Sequence, residues 1–200
     1  MKLSRVAERY YARCREILET MEQAMQAAPE AQSVSHRLIL QMLPHHEAAV
    51  EMARELLQYT TCLPLQELAD RIVVGQTRGI ETMHDALPDC GRPLNTEAEL
   101  TRYAAREGCI RQTMLARMHA VCPEPSINVG FLRRMHAVCP EPSINVGFLR
   151  QMLPHHEGAV EMAQNALRFP VCEALRPVLC GIIDTQTQEL AEMRGLLRRL

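Results

Sequence analysis

The stretch QMLPHHEAAVEMA at residues 41–53 returns as QMLPHHEGAVEMA at residues 151–163, with one change, Ala48 to Gly158, in thirteen positions. On an α-helix each residue advances about 100°, so Met42, His45, His46, Ala49 and Met52 fall within roughly 120° of one another and form one stripe. Glu47 and Glu51 point to the opposite, solvated side. The second copy repeats the stripe with Met152, His155, His156, Ala159 and Met162. Small Ala49 and Ala53 leave room beside the imidazoles for another helix or a ligand. Pro44 and Pro154 sit inside these helices, where each removes an N–H and crowds the carbonyl four residues back, so a kink is expected just before the histidines. The alternative is that each proline opens a separate helix at its first turn.

Working outward, the whole chain is a duplication. At an offset of 110, Leu57, Cys62, Leu65, Ile72, Gln76, Met83 and Leu87 match Leu167, Cys172, Leu175, Ile182, Gln186, Met193 and Leu197. Upstream of Met118 the offset is 93, pairing Arg9, Tyr10, Arg13, Met21 and Met25 with Arg102, Tyr103, Arg106, Met114 and Met118. The difference, seventeen residues, is the length of a perfect tandem repeat, RMHAVCPEPSINVGFLR, at 117–133 and 134–150. This undiverged block is read as a recent insertion or an assembly artefact, with no function assigned to it.

The pattern predicts an all-α protein of two tandem three-helix repeats, residues 1–90 and 91–200, forming one continuous or two similar up-down bundles. Residues 3–27 lack Gly and Pro and favour a helix. Ser33 or Ser35 caps the next, which runs to about Tyr59, and Thr61 caps a third with Pro64 in its first turn. Pro88, Gly91 and Pro93 read as the linker. Thr96 opens the second set, with helices near 96–121, 143–168 and 172–199, and a short additional helix falls in the inserted block.

Composition excludes several function classes. The 200 residues are 47% hydrophobic and 23% charged with a net charge of −2, an ordinary soluble surface. Dispersed basic residues, 4% aromatics and no Trp argue against nucleic-acid binding. The apolar runs are too short for membrane insertion. Arg5, Glu8 and Arg9 interrupt what a secretory signal would leave apolar, so a cytoplasmic setting is expected. The eight cysteines include no C-x-x-C pair, and free thiols in a reducing compartment are the expected state.

Imidazole nitrogen and thioether sulfur at helical spacing make a borderline-to-soft ligand set that suits copper, above all Cu(I), better than Mg or Ca. Glu-x-x-His occurs once, as Glu81–His84 in the first half, and its counterparts in the second are Ala191 and Arg194, so the pair of such motifs that di-iron helices use is absent, which weakens an oxidase reading. Gln186, Glu189 and Met193 share a face of the last helix and can close the second site; the first half has Gln76, Gly79 and Met83 instead. Three readings stay open: metal binding without turnover; a structural or interaction bundle whose buried histidine pairs set helix register; and an enzyme using the pair as acid and base with Glu189, Glu47 or Glu51 as carboxylate.

The segments LILQMLPHHEAAVEMA with IVVGQTRGIETMHDAL, and FLRQMLPHHEGAVEMA with IIDTQTQELAEMRGLL, resemble the family called domain of unknown function 305, a ferritin-like helical-bundle family that includes CopM-type copper-binding proteins. The resemblance implies metal positions at Met42, His45, His46, Met52 and Met83, and at Met152, His155, His156, Met162 and Met193, with Glu189 added in the second half. It implies copper, or another soft or borderline transition metal, as the partner. A homo-oligomer or a metal-exchange protein would be further partners.

Overall fold

A computed structural model describes residues 3–29, 31–121 and 143–200. The described residues form six α-helices and no strand: α1 (Arg5–Gln26), α2 (Val34–Leu57), α3 (Leu63–Cys90), α4 (Glu97–His119), α5 (Ile144–Ala166) and α6 (Leu175–Leu197). The expected all-α helical bundle is the observed architecture. The short helix expected within the inserted block lies outside the described residues.

Local chemistry accounts for most helix starts. Ser4, Ser33, Thr96 and Ser143 each accept a hydrogen bond from a backbone N–H of the first turn. Thr96 and Glu99 complete a reciprocal capping box. The third helix departs from expectation, since Cys62 and not Thr61 stands at its N-cap, without a side-chain bond. Pro64 in the first turn supplies the start signal there, because a proline costs nothing where the N–H has no helical acceptor. The linker is also shorter than expected: α3 continues past Pro88 to Cys90.

α2 and α5 run unbroken through Pro44 and Pro154, so neither proline starts a new helix. Packing explains the continuity. α2 is held by α1 and α3, α5 by α4 and α6, and the two are packed on each other. Ala49 and Ala53 on α2, and Ala159 and Ala163 on α5, are fully buried, so helix burial outweighs the lost backbone bond. α3 packs on α6 in the same way. Buried apolar side chains from all six helices form one continuous core.

The thiol expectation needs correcting for two cysteines. Cys90, at the end of α3, and Cys172, just before α6, form a disulfide with Cα atoms 5.4 Å apart, within the usual reach of such a bridge. Neighbouring serines of α2 hold both ends. Ser33 Oγ donates to the Cys90 carbonyl at 2.8 Å, and the Cys172 N–H donates to Ser35 Oγ at 2.8 Å. Spacing gave no hint, because a disulfide needs proximity in space and no sequence motif. No described helix is long and apolar enough to cross a membrane.

Candidate functional site: a buried histidine cluster

Because the stripes of α2 and α5 face each other, all four motif histidines meet in the centre of the bundle, each no more than 2% exposed. The rings of His45 and His155 lie against one another with centroids 3.6 Å apart and planes tilted by 31°. His46 and His156 flank this pair, with centroids 6.1 Å from His45 and 5.9 Å from His155, respectively.

Their hydrogen bonds define the tautomers. His155 Nε2 lies 3.0 Å from the His45 carbonyl oxygen, which can only accept, so Nε2 carries the proton. His156 Nε2 donates to Glu189 Oε2 at 2.9 Å by the same logic. His45 Nε2 stands 3.3 Å from the sulfur of Met114, a weak acceptor. His45 and His155 then keep their lone pairs on Nδ1. No hydrogen-bond partner among the described residues meets Nδ1 of any of the four histidines. Burial is the main cause that holds His45 and His155 well below the ordinary histidine range, reinforced by mutual repulsion among the rings. His46 is pushed down to about 3 by burial and then by His156, against a weaker opposing effect of the Met42 backbone. These three imidazoles are therefore neutral at physiological pH, the form that binds metals.

The structure brings the four predicted histidines together and joins Glu189 to His156. Met42, Met52, Met83, Met152, Met162 and Met193 are all buried in the shared core, a placement that packing alone also explains. Among the described residues no three His, Cys, Asp or Glu side chains form a ligand group.

The sulfur that reaches an imidazole belongs to Met114 on α4, which the motif reading missed. A signal was present. A Cβ at position 158 would collide with the Met114 side chain, so the one residue that differs between the motifs, Gly158 for Ala48, makes room for that methionine. Gly79 acts similarly in the first half: a Cβ there would come within 2.8 Å of His46 Cδ2. His46 therefore sits against α3 where His156 has a carboxylate. Beside it a cleft of about 540 Å³ opens between α3 and α6, with Gln76, Gln186 and Glu189 in its wall.

Fold and site together define a class, an all-α bundle of two related halves closed around a buried histidine cluster. Family comparison agrees with it. The family model described as "Domain of unknown function (DUF305)" matches residues 15–87 and 36–197, and the chain belongs to this family. A solved structure, the crystal structure of a DUF305 fragment from Deinococcus radiodurans, superposes with a TM-score of 0.56 at 24% identity, covering 86% of this chain and 100% of that one. That likeness concerns the fold. No curated protein matches the chain.

Proposed function

We propose that this protein binds a soft metal ion, copper first, at the His45/His46/His155/His156 cluster, for metal handling or sensing without turnover. One observation carries the reading: four buried imidazoles whose Nδ1 atoms have no hydrogen-bond partner among the described residues, with a thioether 3.3 Å from one of them. An unpartnered buried polar atom is costly, and a bound ion would remove that cost. The donor chemistry fits a soft ion and not a hard one. No group of three His, Cys, Asp or Glu ligands is formed among the described residues, so an ion would draw on paired imidazoles and methionine sulfur, which favour Cu(I). Met114 joins Met42, Met52, Met83, Met152, Met162 and Met193 as a sulfur candidate.

A second reading rests on a different contact. The bond from His155 to the His45 carbonyl joins the two halves at one register, as expected of a structural bundle in which the cluster aligns helices. Anaerobic Cu(I) competition titration separates the two, using wild type and a His45→Gln/His155→Gln variant. Cys62, Cys109 and Cys180, which are not disulfide-bonded, would be alkylated first. Tight binding of one or two ions that vanishes in the folded variant supports the metal reading. Unchanged binding, or none, leaves the histidines a structural role, and a lowered melting temperature of the variant without metal then measures it.

The sequence suggests a cytoplasmic setting, and the Cys90–Cys172 bridge lends support to an oxidising compartment, where such bonds mainly persist. We favour the latter setting; quantifying free thiols in protein extracted under acid quench distinguishes them.

A further inference from the structure

α3 and α6 run antiparallel and are tied together at both ends. Arg71 reaches Glu192 at 2.6 Å towards one end, and the Cys90–Cys172 bridge joins them at the other. Between the ties the facing positions carry little side chain. Gly75 and Gly79 on α3 and Gly181 on α6 line the cleft of about 540 Å³, and a Cβ built on Gly75 or Gly181 meets nothing within 4 Å. Open space therefore remains where larger residues would interlock.

The histidine cluster touches this space through one residue. His46 lines the cleft, whereas His45, His155 and His156 do not. The Nε2 atoms of those three are committed to Met114, the His45 carbonyl and Glu189, respectively. His46 Nε2 has no hydrogen-bond partner among the described residues and, unlike Nδ1 of the same ring, is not sealed off. It faces Gly79, where a Cβ would come within 3.1 Å of it. The repeat counterpart of Gly79 is Glu189, whose carboxylate takes the N–H of His156. One end of the cluster is thus capped and the other is open, with the His45 ring centroid 6.1 Å behind that of His46.

We propose that the α3–α6 cleft is the entrance to the histidine cluster and that His46 Nε2 is the first donor reached through it, ahead of the inner His45/His155 pair. The inference rests on the metal reading above and adds to it a route and an entry residue. A nitrogen already bonded to a carbonyl or carboxylate must give up that bond before it can serve as a ligand, and His46 Nε2 has none to give up. Entry and exit by one path have a kinetic signature. Narrowing the path slows uptake and release by the same factor and leaves the dissociation constant where it was, because the bound and free states are untouched.

The test is anaerobic Cu(I) exchange between the whole chain and a chromogenic chelator, followed by stopped flow in both directions and at equilibrium. A Cys62→Ser/Cys109→Ser/Cys180→Ser parent removes competing thiols. Gly75→Leu/Gly181→Leu narrows the cleft from helical positions with open space, and circular dichroism verifies that this variant folds. Its uptake and release should both slow by about tenfold or more, with the dissociation constant unchanged. Gly108→Leu is the control: it lies on α4 outside the cleft, a Cβ there also meets nothing within 4 Å, and it brings the same kind of gain in helix propensity. Its rates should match the parent's. Unchanged rates in the cleft variant overturn the route and leave the metal reading standing. Equal slowing by Gly108→Leu also overturns it, by tracing the effect to helix stability, as does a cleft variant that loses affinity instead of speed. A parent that binds no Cu(I) at equilibrium overturns the metal reading, and the route falls with it.

Discussion

His46 and His156 occupy matching positions in the two repeats, and their surroundings differ. Opposite His156, α6 supplies Glu189, which takes the ring's N–H at 2.9 Å. Opposite His46, α3 supplies Gly79, and the ring rests against bare backbone beside the cleft. The same asymmetry recurs at the inner pair. Gly158 admits Met114 from α4, which reaches across to His45, whereas the first repeat has Ala48. Two glycines, one in each repeat, thus turn a near-symmetric duplication into a site with two unlike ends. Duplicated sequence guarantees matching backbones, and side-chain volume at one or two positions decides what each imidazole touches.

The largest test of this difference lies at the bridge between halves. Cys172 is paired with Cys90 at a sequence separation of 82, whereas its repeat counterpart Cys62 is in no disulfide. Closing a loop of that length stabilises by about 4 kcal/mol in the chain-entropy account, so reduction should lower the urea midpoint strongly. Cys62→Ser should shift it far less, and equal shifts would remove the asymmetry.

Making the motifs identical is the next step. Gly158→Ala forces Met114 away from His45, and overpacking of this kind costs about 2 kcal/mol. A melting curve should show a drop of several degrees. Ala48→Gly, which collides with nothing, should cost less, about 1 kcal/mol through helix propensity. A larger loss for Ala48→Gly would show that the Met114 contact does not distinguish the repeats.

Titration sharpens the comparison at His46. Its folded pKa, about 3, lies below the ordinary unfolded value of 6.5, so its neutral form is favoured by folding. The stability this contributes is fully present above pH 6.5 and is lost as pH falls towards about 3. The slope is about 1.4 kcal/mol per pH unit for one such imidazole. His45 and His155, also lowered, act in the same direction. Denaturation midpoints at several values between pH 7 and pH 4 should therefore fall with acidification, and His46→Gln should flatten the curve. An equally steep variant would mean that other groups drive the loss.

The smallest effect is expected on the surface. Arg13 pairs with Glu51 at 2.5 Å, and their repeat counterparts Arg106 and Glu161 stand 3.9 Å apart. All four side chains are about half exposed, where such pairs are worth under about 1 kcal/mol. Arg13→Ala and Arg106→Ala should differ by a few tenths at most in paired melts; a difference of a full kcal/mol would show that the repeats also diverge in surface electrostatics.

Several elements were legible because their causes are local. Ser33 and Ser143 cap matching helices since a cap needs a side chain three residues from a donor, and Thr96 starts α4 for the same reason. The stripe of Met42, His45, His46 and Met52 is buried as its periodicity requires. Pro44 was harder to read. Whether a proline breaks a helix depends on how firmly the flanking turns are held, and α2 is packed on three sides. Met114 was hidden because its role needs α4 to cross α5 where residue 158 lacks a Cβ. The Cys90–Cys172 bridge was invisible for a similar reason, as it joins positions with no repeat relation.

By itself, then, the sequence determined that this chain is a duplicated all-helical protein of the DUF305 family, with two Pro-His-His stripes turned inward. Helical periodicity, capping and self-similarity act over a few residues or are read directly by comparison. Only the tertiary structure decided that the two stripes face each other, that His45 and His155 stack, and that a methionine, a carboxylate and a cleft distinguish the two ends. Those outcomes depend on which backbones approach closely enough to touch. Close approach is set by the summed packing of six helices, with the missing side-chain volume at Gly79 and Gly158 choosing the contacts.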